Sequence, residues 1–257
     1  MGSGIAQVFA QNGFKTILFD VNANMLENAQ AKIKKYSAAG FENIVFTSAL
    51  NDCRADLIIE AIIENEKAKV ELLGNLIKLN SPDTVFATNT SSLSVTAIAE
   101  KISNPQQLAG MHFFNPAPLM KLVEIVGTKY TSQSIIEFLT QLTNACGKTP
   151  VLCKDSPGFI VNRVARPYYL EALHLVEKFN VDFETIDKLA EATGFKMGPF
   201  RLMDLIGNDI NYSVSCIVHE ALGKPERLKP SSIQEQKVKK GDFGKKTGKG
   251  YYEYPRV

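Results

Sequence analysis

The chain has 257 residues, of which 45% are hydrophobic and 22% are charged, and its formal net charge is +2. These values are typical of a globular protein long enough for a full core and for two domains, and the near-neutral charge does not favour a broad nucleic-acid surface. No apolar run approaches the length of a membrane span, so we expect no membrane as partner. From the near-neutral charge we also expect no nucleic acid as partner.

The four cysteines form no Cys-x-x-Cys pair and have no histidine at metal-ligand spacing. The first residues lack the basic start and pure apolar core of a signal peptide. We therefore expect reduced thiols, no metal site and a cytoplasmic location.

The N-terminal part follows the pattern of a dinucleotide-binding domain. A helix is predicted over residues 4–11, a strand over 15–20 and a second helix over 24–36. In such a unit, an acidic residue at the end of the second strand bonds the adenosine ribose hydroxyls and repels a 2′-phosphate. Asp20 occupies that position, which favours NAD over NADP.

The glycine fingerprint of such a domain is incomplete here. The pattern G-x-G-x-x-G follows a first strand and brings the backbone close to the cofactor pyrophosphate at a helix N-terminus. Only its third glycine, Gly2, is present, and the first strand is missing. Neighbouring strands should then keep unpaired edges. We expect a gene product that begins upstream of Met1, and the alternative is a poor cofactor binder.

Two further strands are predicted over residues 57–63 and 85–88, followed by helices over 64–79 and 93–101. In an open α/β sheet, ligands bind outside the carboxyl ends of the strands. The polar residues that follow these two strands are Glu64, Asn65, Asn89, Thr90 and Ser91.

The segment 110–126, GMHFFNPAPLMKLVEIV, holds His112 in one apolar run and Glu124 in the next. The connection is too short for a parallel crossover, so we expect an antiparallel pair that turns near Pro118. His112 and Glu124 are symmetric about Pro118 and should face each other. A carboxylate on one imidazole nitrogen fixes the tautomer, and the other nitrogen can then take a proton from a hydroxyl. A core histidine and a solvated glutamate are the alternative.

The composition changes near Lys154, after a predicted helix over 132–145 and an edge strand over 150–153. The sequence therefore predicts an α/β Rossmann-type domain over residues 1–153, followed by an all-α domain over residues 154–257. The helices predicted in the second domain cover residues 156–178 with a kink at Pro167, 183–192 with Asp182 as N-cap, 200–206 and 209–221.

The tail over residues 237–250 is basic and rich in glycine. Such a composition is typical of a solvated loop or of a lid that contacts phosphate. The aromatic run over residues 251–254 is expected to dock the end of the chain onto the protein.

Four motifs resemble the 3-hydroxyacyl-CoA dehydrogenase family, including 3-hydroxybutyryl-CoA dehydrogenases. They are NTSSL at 89–93, GMHFFNP with MKLVE at 110–124, SPGFIVNR at 156–163 and FGKKTGKGYYEY at 243–254. The resemblance covers nearly the whole chain in the right order. It implies an NAD-dependent enzyme that interconverts (S)-3-hydroxyacyl-CoA and 3-oxoacyl-CoA, with short substrates such as 3-hydroxybutyryl-CoA favoured. It also implies a homodimer formed through a helical domain that serves substrate binding and dimerisation.

The resemblance also implies roles for single residues. His112 is similar to the catalytic base of the family, and Glu124 to its carboxylate partner. Ser91 and Asn162 resemble the residues that hydrogen-bond the substrate oxygen. The residues that the resemblance places at the cofactor or at CoA are Gly2, Asp20, Glu64, Lys69, Ser91, Asn115 and Lys246.

The chain departs from the family between Ala29 and Asp52, where a longer helical arm usually contacts CoA. Lys32, Lys34 and Lys35 either take over phosphate contacts or belong to a solvated helix end. Two other functions stay open: another NAD-dependent hydroxyacid dehydrogenase, and a catalytically silent fold-mate with a structural or binding role. Fatty-acid oxidation, butyrate synthesis and aromatic degradation all use such an enzyme, so the pathway also stays open.

Overall fold

A computed structural model describes residues 1–36 and 39–255, with the side chain of Tyr36 left out. The chain divides into two compact units, Met1–Phe159 and Ile160–Val257. In the described part, no helix is both long and apolar enough to cross a lipid bilayer.

The first unit alternates helices and strands. Its elements in chain order are α1 Gly2–Gln11, β1 Thr16–Phe19, α2 Ala23–Tyr36, β2 Ile44–Thr47, β3 Leu57–Glu60, α3 Glu66–Leu79, β4 Val85–Thr88, α4 Val95–Ala99, β5 Leu108–Phe113, β6 Leu122–Gly127, α5 Gln133–Ala145 and β7 Thr149–Lys154. The sequence predicted all of these except β2. The predicted strand over 57–63 ends earlier than expected, at Glu60.

The lysines at the end of α2 lie on an exposed surface. Lys32, Lys34 and Lys35 are all solvent-exposed, and the ammonium of Lys34 lies 4.8 Å from the ring centre of Phe41. Part of the shortened segment between Ala29 and Asp52 lies outside the described residues.

The strands form two separate sheets. Strands β1 and β2 pair in parallel, and the second sheet has the order β3-β4-β5-β6-β7. All neighbours in the second sheet are parallel except β5 and β6. Strands β1 and β3 are therefore end strands with one hydrogen-bonded neighbour each among the described residues, as the incomplete dinucleotide-binding pattern predicted.

The antiparallel pair β5 and β6 explains why His112 and Glu124 meet. The two residues are direct partners in the register, which confirms the predicted hairpin. Met111 and Ile125 pack into the core beneath α1 and α5. Because side chains alternate along a strand, His112 and Glu124 point to the opposite face, where Phe159 packs with α3 and α4.

Apart from isolated β-bridges in the C-terminal tail, the regular elements of the second unit are helices in its described residues. Its helices are α6 Val161–Phe179, α7 Phe183–Ala192, α8 Pro199–Ile206, α9 Asn208–Ala221 and α10 Ser232–Lys239. Helix α6 continues through Pro167. The Asp182 side chain accepts the N–H of Thr185, which confirms the predicted N-cap of α7. Helix α10 was not predicted, because its sequence SIQEQKVK carries only two apolar residues.

The C-terminal tail is anchored on Asp204, a buried residue of α8. The carboxylate accepts the backbone N–H groups of Tyr251 and Tyr252, both at 3.0 Å, and the hydroxyl of Tyr254 at 3.0 Å. The aromatic run therefore docks the tail onto the second unit, as predicted.

Candidate active site

His112 on β5 and Glu124 on β6 form a buried hydrogen-bonded pair. Nδ1 of His112 lies 2.7 Å from Oε2 of Glu124, and the two side chains are 7% and 1% exposed. Because an ionised carboxylate can only accept, Nδ1 carries the hydrogen and Nε2 is the basic nitrogen of the neutral ring. Nε2 has no hydrogen-bond partner among the described residues. It is therefore available to take a proton.

Apolar groups surround this pair. The ring of His112 lies 4.5 Å from the ring of Phe114 and 5.9 Å from that of Phe159, measured between ring centres. Such surroundings lower the local dielectric and strengthen the attraction between an imidazolium and a carboxylate. Burial raises the pKa of the nearby Cys153 thiol to about 12, and the Glu124 carboxylate contributes to this. The thiol therefore stays protonated at neutral pH.

The turn after β4 carries Ser91 and is held by Glu64. Oε1 of Glu64 accepts the Thr90 hydroxyl at 2.7 Å, the Ser91 N–H at 2.8 Å and the Ser92 N–H at 3.1 Å. The Ser91 hydroxyl lies 3.2 Å from the same oxygen. Burial raises the pKa of Glu64, but the Thr90 hydrogen bond, the Lys69 charge and the bonds from the turn lower it below its usual value.

Lys69 connects Glu64 to a second, fully buried carboxylate. Its Nζ lies 2.8 Å from Oε1 of Glu60 and 3.5 Å from Oε2 of Glu64, and the side chains of Lys69 and Glu60 are 0% exposed. Glu60 also accepts the N–H of Ile62 at 2.6 Å and the hydroxyl of Thr88 at 2.7 Å. Buried charges persist when they are paired and hydrogen-bonded in this way. Lys69, itself paired with Glu60, therefore helps to hold Glu64 in place.

Asn89 joins the ends of three neighbouring strands. Its backbone N–H donates to the carbonyl of Glu60 on β3 at 2.7 Å. Its side-chain Oδ1 accepts the N–H of Phe113 at 2.8 Å. Because Phe113 follows His112 directly, this bond couples the Ser91 turn to the strand that carries His112.

Three residues that were predicted to bind the cofactor lie in the first unit but outside the cluster of Glu64, Lys69 and the Ser91 turn. Gly2 opens α1. Oδ1 of Asp20 accepts the N–H of Asn22 at 2.9 Å, and Oδ2 has no partner among the described residues. Asn115 lies just beyond β5 and is exposed.

Two predicted site residues belong to the second unit. Asn162 lies in the first turn of α6, where its carbonyl accepts the Nε–H of Arg166 at 3.0 Å. The Nζ of Lys246 lies 2.6 Å from Oδ2 of Asp209. Within residues 1–36 and 39–255, no group of three His, Cys, Asp or Glu side chains could hold a metal ion.

Comparison with known proteins identifies the family. The profile of the NAD binding domain of 3-hydroxyacyl-CoA dehydrogenase matches residues 1–156, and the profile of the C-terminal domain of the same enzymes matches residues 158–254. The chain belongs to the 3-hydroxyacyl-CoA dehydrogenase family. This confirms the resemblance that the four sequence motifs indicated.

Several members of the 3-hydroxyacyl-CoA dehydrogenase family are similar to the chain over nearly its whole length. The 3-hydroxyadipyl-CoA dehydrogenase of Escherichia coli K12 is 43% identical, over 99% of this chain and 57% of the relative. The mitochondrial hydroxyacyl-coenzyme A dehydrogenase of Sus scrofa is 40% identical, over 99% of this chain and 88% of the relative. The chain thus spans little more than half the length of the Escherichia coli protein.

A crystal structure from the same family has the same fold. The (S)-3-hydroxybutyryl-CoA dehydrogenase of Ralstonia eutropha matches with a TM-score of 0.92 at 31% identity, over 99% of this chain and 95% of that protein. The predicted fold class, a Rossmann-type α/β domain followed by a helical domain, is thereby confirmed.

The residues of the first unit fit NAD, the cofactor of the 3-hydroxyacyl-CoA dehydrogenase NAD binding domain. Oδ2 of Asp20 is available to accept a hydrogen bond from a ribose hydroxyl. Gly2 opens α1, and a Cβ at Gly2 would have no neighbour closer than 3.8 Å. The start of a helix favours a negatively charged group such as a pyrophosphate.

Sequence reasoning missed the role of Glu60. A charged residue in the middle of an apolar run is rarely buried without a partner, so its position in the run LIIEAII was the available signal. The partner itself, Lys69, could not be read from the sequence. Helical periodicity does not say which lysine of α3 turns inward.

Proposed function

We propose that this protein is an NAD-dependent 3-hydroxyacyl-CoA dehydrogenase that interconverts (S)-3-hydroxyacyl-CoA and 3-oxoacyl-CoA. The observation that carries the proposal is the 2.7 Å bond between His112 and Glu124, which leaves Nε2 as a free base. Membership of the 3-hydroxyacyl-CoA dehydrogenase family supports the same reaction.

The proposed chemistry is a proton transfer coupled to a hydride transfer. Nε2 of His112 takes the proton of the 3-hydroxyl group as a hydride leaves C3. NAD, when bound, supplies the acceptor for that hydride. Glu124 stabilises the imidazolium through the Nδ1–H bond, since the positive ring then lies beside a buried carboxylate. In the reverse direction, the imidazolium of His112 returns the proton to the 3-oxo oxygen.

We assign the remaining predicted site residues to binding and orientation. Ser91 and Asn162 hydrogen-bond the substrate oxygen, because a hydroxyl and an amide can polarise it without removing its proton. Asp20 binds the adenosine ribose and Asn115 the nicotinamide end of NAD. The other residues that we assign to NAD or CoA are Gly2, Glu64 and Lys246, and Lys69, which is fully buried, takes part through its contact with Glu64.

We propose a short acyl chain, with 3-hydroxybutyryl-CoA as the preferred substrate. The Ralstonia eutropha structure is named for this substrate, whereas the Escherichia coli relative is named for 3-hydroxyadipyl-CoA. Comparing kcat/KM for the two thioesters distinguishes these preferences. A higher value with 3-hydroxyadipyl-CoA would contradict the proposal.

We further propose a cytoplasmic homodimer that acts in fatty-acid or butanoate metabolism, with an NAD-binding domain over residues 1–153 and a helical substrate and dimerisation domain over 154–257. Large apolar side chains on the surface of the helical unit support an interface there. The most exposed are Val164 (70%), Leu189 (62%), Phe179 (61%), Phe195 (55%), Leu205 (51%) and Ile210 (51%). Sedimentation velocity tests the dimer, and a monomer at micromolar concentration would contradict it.

Oxidation of NADH with two acceptors tests the proposed function. We expect rapid loss of NADH absorbance with acetoacetyl-CoA and little with free acetoacetate. A preference for the free acid would indicate another hydroxyacid dehydrogenase. Titration of the protein with NADH, followed by fluorescence, distinguishes either dehydrogenase from a silent fold-mate. The silent protein would show no saturable binding of NADH.

A further inference from the structure

A buried lysine holds the loop that connects the strands of the proposed base and its partner. Lys148 lies between α5 and β7 and is 8% exposed. Its Nζ donates to the carbonyl oxygens of Ala117 at 2.7 Å, Pro118 at 3.0 Å and Met120 at 2.9 Å. All three acceptors belong to the loop over residues 114–121, which also carries Asn115.

The three bonds require the ammonium form of Lys148. An ammonium has three hydrogens and can satisfy three carbonyl oxygens, whereas a neutral amine has only two. Burial lowers the pKa of Lys148. Burial also raises the pKa of the neighbouring Cys146 thiol to about 11, so at neutral pH that thiol carries no charge. No carboxylate pairs with Nζ among the described residues. The backbone carbonyls of the loop are therefore what stabilises this charge.

Helix α1 holds the same loop from another side. A Cβ added at Gly4 would lie 3.3 Å from Cδ of Pro118 and 3.4 Å from Cβ of Ala117, so the loop packs closely against the first turns of α1. Within the loop, the N–H groups of Leu119 and Met120 both donate to the carbonyl of Pro116 at 3.0 Å. The bend is thus fixed by helix packing, by its own hydrogen bonds and by the Lys148 ammonium.

We propose that Lys148 is a positioning residue for the dehydrogenase reaction. Its ammonium fixes the bend over residues 117–120 and thereby the position of Asn115 at the nicotinamide end of the cofactor. Lys148 acts only through the loop and touches neither substrate nor cofactor. The inference rests on the proposed function, since it assumes that Asn115 orients the nicotinamide.

Lys148→Met tests this role, with Lys121→Met as the matched control. Lys148 and Lys121 both line a cavity of about 250 Å³ next to the loop. Lys121 is exposed, and its Nζ has no partner among the described residues. We expect kcat for acetoacetyl-CoA reduction to fall about tenfold in K148M, because a small displacement of a reacting group is costly. Lys148→Arg should recover part of kcat, and K121M should match the wild type.

A kinetic isotope effect separates positioning from a loss of folded protein. With NADH deuterated at the transferred hydrogen, K148M should show a larger isotope effect on kcat than the wild type, because a misplaced nicotinamide slows hydride transfer itself. A decrease in the folded fraction lowers kcat and leaves the isotope effect unchanged. Thermal unfolding of each variant establishes that it is folded at the assay temperature.

If K148M does not fold, Lys148→Ala assayed with added ethylammonium replaces it. The small cation can enter the cavity and donate to the same carbonyls, so it should raise kcat, whereas ethanol should not. A folded K148M with wild-type kcat, a lowered kcat with an unchanged isotope effect, or a folded K148A without rescue would each overturn the role of Lys148. A wild-type protein that does not turn over acetoacetyl-CoA would instead contradict the proposed function.

Discussion

Nδ1 of His112 lies 2.7 Å from Oε2 of Glu124, and the two residues are direct partners in an antiparallel ladder. The hydrogen bond fixes which imidazole nitrogen is basic, and the carboxylate supplies the counter-charge when the ring becomes protonated. Removing that charge without changing the shape of the side chain should therefore affect the chemical step more than substrate binding.

Glu124→Gln should lower kcat for acetoacetyl-CoA reduction about a hundredfold, while KM changes little. The amide can no longer stabilise the imidazolium, although it fills the same space. Glu71→Gln is the matched control, because Glu71 is exposed on α3 and has no partner among the described residues. Steady-state kinetics of both variants check this. An E124Q enzyme within about threefold of wild-type kcat would exclude a catalytic role for the charge.

The hairpin of His112 and Glu124 could be predicted because both of its determinants are local. The apolar runs define the strands, and the short connection around Pro118 defines the register. The cluster of Glu60, Lys69 and Glu64 could not be predicted, because it depends on the distance between β3 and one face of α3. The sequence specifies both elements and leaves that distance open.

Two further features, strand β2 and the contacts of Lys148, were not predicted, each for its own reason. Strand β2 has four residues, like β1, β3 and β4, but unlike them it is not followed by an α-helix, so the alternation of strand and helix gave no signal for it. Lys148 carries no sequence signal at all, since its partners are backbone carbonyls. Every residue has a backbone carbonyl, so the identity of the acceptor residues does not show in the sequence that a lysine will bind them.

Lys69→Met should lower the free energy of unfolding by about 3–5 kcal/mol, because Glu60 would keep a buried charge without its cation. The double variant Glu60→Gln with Lys69→Met should be more stable than K69M alone. Lys67→Met on the exposed face of α3 is the control. Urea denaturation of the full chain measures all of these. A loss below about 1 kcal/mol in K69M would show that the pair is not important for stability.

The lowered pKa of Glu64 predicts a pH-dependent contribution to stability. A carboxyl group with a depressed pKa in the folded state stabilises the protein above its unfolded pKa, and this contribution is lost as the pH falls through the folded pKa. Wild type should therefore be more stable than Glu64→Gln at neutral pH, and the difference should disappear on acidification. Unfolding free energies between about pH 7 and about pH 3 check this. A difference that grows towards acid would contradict it.

Asn89→Ala should reduce both stability and kcat. The N–H of Phe113 would lose its acceptor, which costs about 1–3 kcal/mol for a buried group. The end of β5 next to His112 would then be free to move. Asn89→Asp keeps an acceptor oxygen and should retain most of the stability. Denaturation and steady-state kinetics of the two variants are compared, and equal losses in both would rule out this hydrogen bond as the cause.

The most decisive measurement is kcat for (S)-3-hydroxybutyryl-CoA oxidation by His112→Gln at saturating NAD, beside wild type. We expect kcat to fall about a thousandfold, because no other group offers a free basic nitrogen on this face of β5 and β6 within the described residues. The affinity for NADH should stay close to that of wild type. A variant that keeps about a tenth or more of wild-type kcat would contradict the assignment of His112 as the base.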